Sequence, residues 1–340
     1  MNIELRSDTF TLPSPAMKEA MMHAALGDDV FGEDPSINEL EALAASMFGM
    51  EASIFCPSGT MTNQIGINIH TRPGDEVICD EMSHVYIYEG GGIAFNSGSQ
   101  VKAVKGNRGR LTAAQVEAAI NPSDIHKART SVVSIENTTN RGGGACYNFD
   151  DLRAIRKVCD EYGLAFHLDG ARLWNALVAK NERTEDYGRL FDTISICLSK
   201  GLGAPVGSLL LGTKAHITEA RRVRKKFGGG MRQAGFLAAA GIYALQNNIE
   251  RLAEDHRHAA MVAEALREKS WVPEMLEPET NILIFTVSGA FTSAGLCAEL
   301  EKHDIRCMAI SPTQVRMVFH LDVSTEMTEK LISIINGLPA

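Results

Sequence analysis

The sequence predicts an α/β protein: a mainly parallel central sheet flanked by helices, followed by a smaller C-terminal α+β domain. Two observations carry this. Between residues 53 and 199 short β-favouring runs alternate with helical patterns, the order that builds a parallel sheet covered on both faces. From Asn281 onward the strands are short and sit among two helices, as in an α+β unit.

Residues 1–35 read as an arm plus one helix. Ser14 to Ala25 has helix formers after Pro13 and around Pro15, and 27–36 (GDDVFGEDPS) is an acidic, turn-rich loop. Ile37 to Phe48 puts Ile37, Leu40, Leu43, Ala44 and Met47 on one helical face. Strands are predicted at 53–55, 76–80, 101–105, 130–136, 164–169 and 192–199, with helices at 112–120 and 150–162 among them. The run 206–212 follows too soon for a helical crossover and must pair antiparallel. Helices at 232–247 and 249–269 lead to strand Asn281–Val287, a helix at 293–303, short strands near 305–309 and 314–319, and a last helix from Thr325. A boundary near residue 250 divides the chain into a large unit, 1–250 with the arm, and a small one, 251–340.

The chain has 340 residues, 45% hydrophobic and 22% charged, with a formal charge of −9. Such a surface does not favour nucleic acid or anionic lipid as main partner. The basic run 221–232 is the local exception. No run approaches the roughly 18 apolar residues of a membrane span, and the first ten residues have no apolar core of a secretory signal. Seven scattered cysteines without a Cys-x-x-Cys fit reduced thiols in a cytoplasmic location. His256 and His258, two apart on a helical pattern, do not share a face, so no metal site is expected there.

Three stretches carry chemistry. In 194–208 (ISICLSKGLGAPVGS) a buried strand ends and presents Lys200 beside Gly201 and Gly203. A lysine at a strand end can hold a carbonyl cofactor as a Schiff base, or be a solvated charge. In 165–172 (AFHLDGAR) a second strand ends in Asp169, either a helix N-cap or the carboxylate that keeps a pyridine nitrogen protonated. Ser58, Gly59 and Thr60 open an apolar helical segment, either a plain cap or a cradle for a phosphate dianion. Lysine, carboxylate and phosphate cradle together point to pyridoxal 5'-phosphate.

With these parts in this order the chain resembles the fold-type I pyridoxal phosphate enzymes, and among them the low-specificity L-threonine aldolases of the β-eliminating lyase group. The matching stretches are LRSDT at 5–9, GDDVFGEDP at 27–35, PSGTMTN at 57–63, HLDGARLWNA at 167–176, SICLSKGLGAPVGS at 195–208 and GGGMRQAG at 228–235. The resemblance implies Lys200 as the Schiff-base lysine, Asp169 as partner of the ring nitrogen, and Gly59 and Thr60 as phosphate ligands. It implies that His84 stacks on the cofactor ring and that Arg172 meets the cofactor's phenolic oxygen or the substrate carboxylate. Ser7 and Arg316 would grip that carboxylate, and His126 would lie near the substrate hydroxyl. Lys225 and Arg232 would reach a neighbouring subunit's phosphate, in a homo-oligomer with interfacial sites, usually a tetramer. Phe31 stands where the family often has tyrosine, and Thr139 where histidine is frequent.

The expected reaction is reversible retro-aldol cleavage of a β-hydroxy-α-amino acid to glycine and an aldehyde, with His84, His126 or a water as base. The alternatives are β-elimination, racemisation or transamination on the same cofactor, a non-catalytic pyridoxal phosphate-binding protein, and an anion-binding α/β protein without this cofactor. His167, two residues before Asp169 on one strand, is expected to share its face and to contact it.

Overall fold

The computed structural model describes residues 2–338. A seven-stranded sheet forms its centre, in the spatial order 52–56, 208–212, 193–197, 165–170, 130–136, 76–80, 100–104. All neighbours run parallel except those of Ser208–Gly212, which is antiparallel to both Ala52–Cys56 and Thr193–Cys197, as its short connection requires. Thr130–Glu136, Thr193–Cys197 and Ser208–Gly212 are buried at every position. That is why they read as near-continuous β-branched and aliphatic runs rather than alternating ones.

The flanking helices carry the local signals their sequences advertise. Pro35–Phe48 is capped by Asp34, starts on proline and stops at Gly49, whose φ is 61°, a left-handed value that suits glycine. Its buried face holds Ile37, Leu40 and Ala44, but also Glu41, which accepts the amide of Phe55. Phe149–Tyr162 is capped by Asn148, buries Leu152, Ile155 and Cys159, and ends at Gly163. The basic run lies mostly on a further helix, Lys214–Lys226.

Beyond helix Leu252–Arg267 a four-stranded sheet of Glu274–Met275, Ile282–Thr286, Met308–Ala309 and Gln314–Val318 packs with helices Ser293–Glu301 and Thr325–Gly337. Its apolar core is separate from that under the large sheet. One feature departs from the expected division of the chain. Ile3–Glu4 pairs in parallel with Ile305–Arg306, and Ile3 and Leu5 lie in the core of the small unit. The arm therefore starts on the C-terminal unit and crosses back to the large one.

Candidate active site

All parallel strands of the large sheet end at one edge, where open α/β sheets bind ligands. There the structure opens a cavity of about 270 Å³, lined among others by Thr9, Ser58, Gly59, Thr60, Asn63, His84, Asp169 and Lys200. Asp169 lies near the end of Ala165–Gly170 and Lys200 follows the neighbouring Thr193–Cys197, as their strand-end positions predict. Lys200 Nζ donates to Cys197 Sγ at 3.3 Å.

Asp169 is 1% exposed. Its Oδ1 accepts the amide of Ala171, while Oδ2 is buried with no partner. An ionised oxygen in that state is costly unless a donor meets it. Ser58 Oγ caps helix Gly59–Asn68 by taking the amide of Met61, so the amides of Gly59 and Thr60 keep the unsatisfied donors of a helix start. A Cβ on Gly59 would fall 2.7 Å from Cys197 Sγ, so only glycine lets the helix start this close to the strand end. The orphaned oxygen, free amides and lysine on one cavity wall fit pyridoxal phosphate: Asp169 for the ring nitrogen, Gly59 and Thr60 for the phosphate, Lys200 for the aldehyde.

His84 follows the strand Glu76–Asp80 and is held twice. Its amide donates to Glu136 Oε2 and its Nδ1 meets Glu89 Oε1, both at 2.9 Å. With Nδ1 committed to a carboxylate, Nε2 is the ring atom left for a ligand. Burial lowers the His84 pKa, but the hydrogen bond donated to Glu89 and the charges of Asp169, Glu89 and Glu136 outweigh it and leave it raised. Glu89 is fixed by the Asn63 and Gln64 amides. His84, Glu89 and Asp169 bring ligand atoms within 4.8 Å of one another, and two of the three, His84 and Glu89, are hydrogen-bonded to each other.

Glu136 lies beside Asp169 in strand register. Burial, then the Asp169 charge, pushes it up to about 7, against the hydrogen bonds from the Asn140 and His84 amides. Asn140 also accepts from Arg316 Nη1 at 2.9 Å, and Arg316 Nη2 donates to the Arg6 carbonyl. Arg316 Nε is buried without a partner. Burial and the nearby Arg172 charge lower the Arg316 pKa to about 10, so the group is still a cation at neutral pH and suits a carboxylate.

Arg172 is differently placed. Its Nε and Nη2 grip the two oxygens of Asp8, each at 2.7 Å, with both side chains buried. Ser7 caps the turn Asp8–Phe10. Lys225 lines another cavity, of about 600 Å³, with Phe31 and Arg224, and Arg232 pairs with Asp28 at 3.0 Å. His126 sits on an exposed loop and pairs with Asp124. These three, like Ser7, Arg172 and Arg316, are not among the residues that line the cavity of their own chain. Thr139 is buried and donates to the Arg108 carbonyl.

The expected His167–Asp169 contact is absent. Nδ1 of His167 meets Thr193 and Nε2 meets Asn63, because the helix approaches so closely at Gly66 that a Cβ there would lie 2.5 Å from the ring. His256 and His258 point to different partners, Asn175 and Thr325. Sequence reasoning missed Asp8, Glu89, Glu136 and Asn140. The available signal was a charge held inside an apolar stretch, as in 130-TSVVSIE-136.

A family model described as "Beta-eliminating lyase" matches residues 4–290. The "Low specificity L-threonine aldolase" of Escherichia coli (strain K12) is 45% identical, covering 95% of each chain. The "Probable low-specificity L-threonine aldolase 2" of Arabidopsis thaliana is 38% identical over 97% of this chain and 95% of its own. Among solved structures the threonine aldolase of Leishmania major superposes with a TM-score of 0.86 at 22% identity, covering 99% of this chain and all of its own. The serine palmitoyltransferase of Sphingomonas wittichii gives 0.76 at 14%, covering 99% and 86%. These likenesses place the fold among the fold-type I enzymes.

Proposed function

We propose that this chain, which belongs to the beta-eliminating lyase family, is a pyridoxal phosphate-dependent aldehyde-lyase of the low-specificity L-threonine aldolase kind. It cleaves L-threonine, L-allo-threonine and related β-hydroxy-α-amino acids to glycine and an aldehyde, reversibly. The observation that carries this reading is the presence of Lys200 and the partnerless Asp169 Oδ2 in one cavity.

Bound pyridoxal phosphate supplies an aldehyde that takes up amines and a protonated ring that accepts the electron pair released at Cα. The chain's residues do the rest. Asp169 Oδ2 holds the proton on the ring nitrogen. Arg316, with its free Nε, and Ser7 hold the substrate carboxylate and so fix the rotation of the amino acid, a positioning contribution. Arg172 already spends two donors on Asp8, so its part is to lock the arm that carries Ser7 and to offer its remaining Nη1. His84 Nε2 takes the β-hydroxyl proton as the Cα–Cβ bond breaks, its other nitrogen steadied by Glu89. His126 would have to come from another subunit.

Lys225 and Arg232 would likewise serve a neighbour's phosphate in a homo-oligomer, a tetramer in this reading. Support comes from large apolar residues left at the surface: Leu12 after the arm's first turn is 67% exposed, Phe31 in the cavity with Lys225 73% and Tyr88 against His84 50%, the kind of residues that partners cover. Among the described residues no helix is long and apolar enough to cross a membrane. All seven cysteines are free thiols, which supports a cytoplasmic location. The boundary near residue 250 is proposed as the joint between a cofactor unit and a smaller unit that carries Arg316.

Product analysis tests the reading. Equimolar glycine and acetaldehyde from L-threonine or L-allo-threonine, and benzaldehyde from L-phenylserine, are expected. A 2-oxo acid with ammonia would make the chain an eliminating enzyme instead.

A further inference from the structure

Cys297 and Cys307 stand with their sulfurs 3.4 Å apart on the wall of a surface groove of about 620 Å³ that also holds Arg6, Glu301 and Arg306. Cys297 is half-buried on helix Ser293–Glu301, and Cys307 is 8% exposed between Ile305–Arg306 and Met308–Ala309. The other five cysteines are at most 4% exposed. Access and proximity thus single out one pair.

We propose that Cys297 and Cys307 form a dithiol oxidation site that closes to a disulfide with small organic disulfides, and that closure loosens the grip on the substrate carboxylate. The thiolate of Cys297 attacks one sulfur of the small disulfide and releases one thiolate. Cys307, giving up its proton, then attacks Cys297 Sγ and releases the second. Two protein thiols are oxidised and one small disulfide is reduced to two thiols. The hydrogen bond from Cys307 lowers the Cys297 pKa, while that same bond, then burial and the Cys297 charge, raise that of Cys307. Cys297 is therefore the attacking group. Arg6 and Arg306 are paired with Glu4 and Glu301, so the groove carries both signs and a neutral probe suits it.

The link to the substrate site is through backbone. Met308, the residue after Cys307, lies opposite Arg316, with its sulfur 3.9 Å from Arg316 Nη2. On the other side the Arg306 carbonyl accepts the amide of Leu5 at 2.7 Å, and Leu5 leads into the arm whose Arg6 carbonyl takes Arg316 Nη2. Shortening the sulfur separation to about 2.05 Å draws Cys307 toward the helix and disturbs both anchors. This second half rests on the assignment of Arg316 to the substrate carboxylate.

The cofactor-loaded enzyme is treated with 2-hydroxyethyl disulfide, then read by free-thiol titration, peptide mapping and steady-state kinetics. Expected are the loss of two of the seven thiols, a peptide pair joining Cys297 to Cys307, and a KM for L-allo-threonine raised about five-fold with kcat within about two-fold, all reversed by dithiothreitol. Cys297→Ser keeps its KM under the same treatment, and Cys307→Ser stops at the mixed disulfide on Cys297. No joined peptide, or a mixed disulfide persisting in the unsubstituted enzyme, overturns the dithiol site. A joined peptide with unchanged KM overturns the coupling and leaves the aldolase reading intact. Should the reduced protein release no aldehyde at all, that reading fails, while the mapping still decides the dithiol.

Discussion

Arg172 and Asp8 form a two-pronged ion pair, Nε to Oδ2 and Nη2 to Oδ1, each 2.7 Å long. It ties the N-terminal arm to the turn that follows Asp169. Burial pushes the Asp8 carboxyl up, but the charge and hydrogen bonds of Arg172, the charge of Lys200 and the Asn281 amide outweigh it and hold it at about 2.

Asp8→Ala should destabilise the fold by about 3–5 kcal/mol in urea, the usual cost of leaving one buried charge unpaired, and raise KM by freeing Ser7. Because the folded-state pKa is depressed, the Asp8 contribution is present above the ordinary carboxylate range and lost only as pH falls through about 2. The difference between wild type and variant should therefore be the same at pH of about 5 and about 7.

Asp169→Ala should lower kcat by about 100-fold or more while shifting cofactor affinity far less, because the carboxylate acts on the electron sink rather than on anchoring. Titration of cofactor absorbance beside kcat separates the two. A matching loss in both would assign Asp169 to binding alone.

Arg316→Ala should raise KM by about 10–100-fold, as for a lost charge-assisted hydrogen bond of about 1.5–3 kcal/mol, with a smaller change in kcat. Arg316→Lys should recover only part of this, since an ammonium cannot reach Asn140, the Arg6 carbonyl and a carboxylate in one fork. An unchanged KM in either variant would remove Arg316 from the substrate site.

Glu136 is raised to about 7 by burial and by Asp169, so the folded chain keeps a proton that the unfolded chain releases at lower pH. Its contribution to stability is full below the ordinary carboxylate range and is lost as pH rises through about 7. Relative to Glu136→Gln, wild type should thus lose stability between pH of about 5 and about 8. Urea unfolding at constant cofactor concentration checks the sign.

The parts of this site that could be read without coordinates are those marked by abrupt ends. Lys200 and Asp169 each close a run of buried β-formers, and the reversal at 208–212 follows from a connection too short for a helix. The missing parts depend on distance in space. Asp8 meets a residue 164 positions away, and the helices His84–Ile87 and Gly92–Ser97 are too short to show a 3.6-residue period. The apolar part of the arm's junction with the small unit is Ile3 and Leu5, two residues with no pattern around them. For His167, the period of two gave its face correctly but not its partner, which was decided by how closely Gly66 lets the helix approach.

The central claim is that Lys200, opposite Asp169, is the side chain that takes the cofactor. Borohydride treatment of the cofactor-loaded protein followed by peptide mapping tests it directly. The pyridoxyl tag should be found on Lys200, and Lys200→Ala should carry none and release no aldehyde. A tag on another lysine, or full turnover by the variant, would contradict the account.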